Sequence, residues 1–128
     1  MRRMMLAALL AATTAIPGLA MAQSGDAAAG QRVFNQCRAC HTSDQGGRNG
    51  VGPNLFGIVG RNAGSIAGFR YSSNLRELAT GGLVWNEDRL RAYVTNPKAV
   101  VPTGSMSFPG IRNETQVNDL MAYLASLK

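Results

Sequence analysis

The sequence predicts an all-α domain of about four to five helices with long loops, its first and last helices packed against each other. Three observations carry this. No stretch alternates apolar and polar residues with period two over the length of a strand. Helix-start residues at Asp26, Asn86 and Asn113 precede segments whose apolar positions recur three and four residues apart. Between those segments the chain is interrupted by glycine and proline, 15 and 5 of them in 128 residues, and such residues punctuate loops.

The N-terminus reads as an export signal. Arg2 and Arg3 precede an apolar run from Met4 to about Ile16, followed by Pro17, Gly18 and the small-residue triplet Ala20-Met21-Ala22. Cleavage is expected after Ala22, leaving residues 23–128 as one small domain. An uncleaved membrane anchor is the weaker reading, because the apolar run is short for a bilayer crossing.

In the domain, Asp26 is positioned to cap a first helix running toward Cys37, with Gly30, Val33 and Phe34 on its buried side. Gly30 would let another helix approach closely. A short helix is expected from about Ser73 to Thr80, closed by Gly81-Gly82. Asn86 followed by Glu87 and Asp88 suits the start of a third, which contains Leu90, Tyr93 and Val94 and ends at Pro97. The last helix is expected from Asn113, with Gln116 as a reciprocal cap, to Lys128. Its stripe of Val117, Leu120, Met121 and Leu124 is the natural partner of the first helix.

The chain carries a formal net charge of +6, which falls to about +4 once Arg2 and Arg3 leave with the signal. The remaining basic residues, mostly arginine, form no run, so the sequence offers no nucleic-acid-binding block. A weak positive excess suits encounter with an acidic protein.

Chemistry concentrates in Cys37-Arg38-Ala39-Cys40-His41, the C-x-x-C-H pattern of covalent haem attachment. On a helix, positions three and four apart share a face, so both thiols and the imidazole can meet one flat ligand. Three other readings compete. A redox dithiol expects a preceding strand, which is missing here. A zinc site lacks a fourth ligand, and a disulfide leaves His41 unexplained. Because His41 is the only histidine, a second such haem and a two-histidine iron are both excluded, and the sixth ligand is methionine, a rarer side chain such as lysine, or none. After the signal, two methionines remain. Met121 fits a helix core stripe, whereas Met106 lies in the Pro- and Gly-interrupted stretch Val101 to Gly110. A thioether on such a loop can reach iron, although a methionine there can also simply fill a gap.

Taken together, these residues resemble the soluble class I c-type cytochromes, bacterial relatives of mitochondrial cytochrome c. After Cys37 to His41 come Gly52-Pro53-Asn54-Leu55, Gly60-Arg61, Ala67 to Ser72, Trp85, Leu90 to Lys98, Pro102 to Phe108 and Leu120 to Leu124, in the family's order. The resemblance implies one haem c on Cys37 and Cys40, with His41 and Met106 as its iron ligands. It implies that the Pro53 carbonyl orients His41, that Arg61, Tyr71 and Trp85 hold a buried haem carboxylate, and that Tyr93 lies beside the axial methionine. The chain departs from the family in reading Pro102-Thr103-Gly104-Ser105-Met106 where Pro-Gly-Thr-Lys-Met is familiar, and in a longer stretch between Tyr71 and Trp85.

The function implied is that of a periplasmic, non-enzymatic electron carrier, monomeric and not membrane-inserted after cleavage. Its expected partners are redox proteins such as a quinol-oxidising cytochrome complex, a terminal oxidase, a reaction centre or a dehydrogenase. One alternative is a dedicated haem subunit of a periplasmic dehydrogenase. Another is a haem enzyme or sensor with an open iron position, which requires that Met106 not bind.

Overall fold

The computed structural model describes residues 11–15 and 25–128. The expected cleavage site after Ala22 lies outside the described residues. Among them are five α-helices: α1 (Ala27–Val33), α2 (Ser73–Thr80), α3 (Glu87–Thr95), α4 (Pro97–Val100) and α5 (Glu114–Ser126), with a 3-10 turn at Phe34–Gln36 after α1. Extended pairing among the described residues is limited to one bridge between Asn62 and Val84. No described helix is long and apolar enough to cross a membrane.

Side-chain caps start most of these helices. The Asp26 carboxylate accepts from the Ala28 and Ala29 amides, Ser72 Oγ from Leu75, Asn86 Oδ1 from Arg89 and Asn113 Oδ1 from Gln116, so each removes an otherwise unpaired first-turn donor. Gly81 closes α2, and Gly82 follows with φ +95°, in the left-handed region.

Three local expectations need correction. Pro97 does end α3, but it also begins α4, because a residue with fixed φ and no amide hydrogen suits a first helical position. The cap of α5 is one-sided, made by Asn113 alone. And α5 stops at Ser126 rather than Lys128, since Leu127 leaves the helix and its carbonyl accepts from the Gly57 amide at 2.7 Å.

The helix pair α1 and α5 crosses at backbone distance. A Cβ on Gly30 would stand 1.9 Å from the Asp119 carbonyl oxygen, and one on Gly25 would stand 2.0 Å from that of Asn118. The crossing is pinned where the Asp26 amide donates to Asp119 Oδ1 at 2.8 Å, and Phe34 and Tyr123 stack with centroids 5.3 Å apart. Alanine at an open helical glycine adds about 1 kcal/mol of stability. Gly30→Ala is expected to do the reverse and lower the stability of the haem-loaded protein by about 1–3 kcal/mol through overpacking, measured by denaturant unfolding. An unchanged or higher midpoint would show that the helices can separate freely.

Candidate functional site

Cys37, Cys40 and His41 follow the 3-10 turn on one isolated helical turn, in which the Cys40 and His41 amides donate to the Cys37 carbonyl at 3.1 and 2.9 Å. The motif is thus not part of a regular helix as its spacing suggested, but this turn keeps the three- and four-residue relation that puts the side chains on one side. Both cysteines are unpaired. Burial, and then Cys40 beside it, push the Cys37 thiol up to about 11. A redox dithiol works through a lowered thiol pKa, and the shift at Cys37 runs the opposite way.

The three side chains open into a cleft with about 1370 Å³ of non-protein space, part of it open to solvent. Its wall also includes Pro53, Tyr71, Trp85, Tyr93 and Met106. Eight of the thirteen buried apolar core residues line it, among them Phe34, Leu75, Leu90 and Leu120. Packed interiors contain few voids larger than a water, so an apolar cleft of this size calls for a large apolar occupant. Two thiols, an imidazole and a thioether on one such wall fit a haem held by two thioethers and two axial ligands.

His41 Nδ1 donates to the Pro53 carbonyl at 2.7 Å, which fixes the tautomer that leaves the Nε2 lone pair for a metal. Burial lowers the His41 pKa, opposed in part by that hydrogen bond. Gly52 makes room for it, because a Cβ there would lie 2.3 Å from the imidazole Cε1. Tyr71 accepts from the Ile66 amide through its hydroxyl and meets Phe69 edge-on at 4.8 Å. The Trp85 and Tyr93 rings lie 4.7 Å apart, and burial pushes the Tyr93 phenol up from its ordinary value. Met106 is half-buried in the wall, while Met121 is buried in the core.

Arg61 differs from expectation in its placement. It is not part of the cleft wall, and its guanidinium donates to the carbonyls of Asn54 and Phe56. Those carbonyls sit in a loop without ladder partners, and the arginine supplies the missing donors. The sequence reading also gave no role to Asn54, a buried amide that bridges the loop, or to the apolar wall residues Phe69 and Phe108. Asn54 was legible only as part of a motif.

The cytochrome c family model matches residues 27–128. The chain is 39% identical to a cytochrome c2 of Blastochloris viridis over 124 residues, covering 97% of this chain and 92% of that protein. It is 46% identical to a cytochrome c-550 of Ancylobacter novellus over 97 residues, covering 76% of this chain and 91% of that one. Among solved structures, cytochrome cH from Methylobacterium extorquens superposes with a TM-score of 0.72 at 42% identity, covering 80% of this chain and 99% of that one.

Proposed function

Since the chain belongs to the cytochrome c family and is a monohaem electron-transfer protein with one covalently bound haem c, we propose that it serves as a diffusible periplasmic carrier of single electrons between membrane redox complexes. One observation carries the reading: a histidine with one nitrogen already committed and a methionine thioether line the same cleft. His41 and Met106 would hold the haem iron between them, which would leave it no position for a substrate.

The haem, bound through Cys37 and Cys40, supplies a one-electron couple. The protein's own groups do the rest. Pro53 and Gly52 hold the His41 ring in one orientation, and the apolar wall would shield a bound haem from water. Tyr71 and Trp85 line the cleft and are suited to bind a haem carboxylate. Val51, which also lines the cleft, is 80% exposed, and gives a docking protein an apolar surface at its mouth. A weak electron-transfer encounter needs only a small interface.

Export is supported by the signal-like leader and by the match to the Blastochloris protein, which spans enough of this chain to include most of that leader. The excess positive charge of the domain fits acidic redox partners. Two measurements test the reading. The reduced holoprotein is expected not to bind carbon monoxide, and its electron exchange with an acidic flavoprotein is expected to slow as salt rises. Ready carbon monoxide binding would favour an enzyme or sensor with an open iron.

A further inference from the structure

The Pro53 carbonyl belongs to the same planar peptide group as the Asn54 amide. At one end of that group the oxygen accepts from His41 Nδ1 at 2.7 Å, and at the other the Asn54 N–H donates to Asn49 Oδ1 at 2.9 Å. Asn54 is only 8% exposed, although asparagine is ordinarily a surface residue. Its side-chain Nδ2 donates to Thr42 Oγ1 at 2.8 Å and to the Asp44 carbonyl at 2.9 Å, and its Oδ1 accepts from the Phe56 amide at 3.1 Å. The Asn54 carbonyl in turn accepts from Arg61. The amide therefore ties the residue after His41 to the residue after Pro53, the two segments that carry the donor and acceptor of the histidine's hydrogen bond.

We propose that Asn49 and Asn54 are positioning residues for the haem iron, acting through one peptide group. Asn49 aligns and polarises the Pro53–Asn54 peptide, Asn54 fixes its distance from His41, and together they set how strongly His41 donates electron density to the metal. Hydrogen bonds in series through a polarisable group strengthen one another, by about 10–30% per bond. A stronger acceptor at Pro53 draws the Nδ1 proton, makes the imidazole more basic and stabilises oxidised iron. Weakening the series should raise the midpoint potential. The inference rests on His41 being an iron ligand.

Asn49 is exposed, so Asn49→Ala removes the acceptor with little effect on packing. In the haem-loaded protein it is expected to raise the reduced-to-oxidised ratio at fixed ambient potential about twofold or more, roughly 18 mV on a scale of 59 mV per tenfold. It is also expected to move the His41 Nδ1–H resonance and to speed that proton's exchange with solvent. Asn49→Asp, which restores the acceptor, should move the resonance back. Asn54→Ala should act in the same direction as Asn49→Ala and more strongly; if it does not fold, Asn49→Ala decides. Gly30→Ala is the control that lowers stability through a contact between α1 and α5, and should leave the potential and the resonance in place. If both asparagine variants leave the potential and the resonance where the parent has them, the relay is wrong. If the oxidised parent shows no iron-induced shift of that resonance, the ligand assignment beneath it is wrong instead.

Discussion

Met106→Ala is expected to lower the midpoint potential by on the order of a few tenths of a volt, part of the roughly 0.8 V over which axial ligands tune haem iron. The same variant should lose the sulfur-to-iron absorption band of the oxidised protein and gain carbon monoxide binding in the reduced one. The direction follows from ligand softness, because a thioether favours reduced iron and its loss removes that preference. Met106 is one of two methionines in residues 23–128, and Met121 is 5% exposed in the core beside Val117 and Leu120, leaving it no route to the cleft. Met121→Leu, which conserves volume, should therefore leave the spectrum and potential unchanged. If Met106→Ala kept both the band and the potential, Met106 would not be the sixth ligand.

The haem-free chain, made by replacing both Cys37 and Cys40 with serine, is expected to be largely unfolded, with most helical circular dichroism lost and rapid proteolysis throughout. The structure gives the reason. Eight of thirteen core residues have the cleft on one side, and covering a large apolar side chain is worth about 1.5–3 kcal/mol each. The helices cannot make up the loss alone, since α1 has 7 residues and α5 has 13, and helices below about 12–15 residues are marginal in water. A compact, protease-resistant apoprotein with native helix content would overturn this account of the stability.

The starts of α1, α3 and α5 were legible because the caps are local chemistry: Asp26, Asn86 and Asn113 each accept from an amide two or three residues ahead. The attachment motif was legible for the same reason, its meaning lying within five residues. Helix α4 was not, since a proline that follows a helical segment reads as its stop, although proline suits a first turn equally well. Nor was the arrangement behind His41. Asn49, Asn54 and Arg61 act through partners up to twelve residues away in irregular loops, and no periodicity encodes such pairings. Arg61 illustrates the limit: its bonds to the Asn54 and Phe56 carbonyls depend on where two loop carbonyls lie.

The crossing of α1 and α5 also governs when the domain can form. Asp26 and Asp119 meet across 93 residues of sequence, and closing a flexible chain over that separation costs roughly 4 kcal/mol in entropy before its constant term. The helix that must close it, α5, follows the other described helices in the sequence. A nascent chain that has reached Ile111 holds the α1 segment with nothing to cross, so the order of synthesis puts this crossing after α5 has been made.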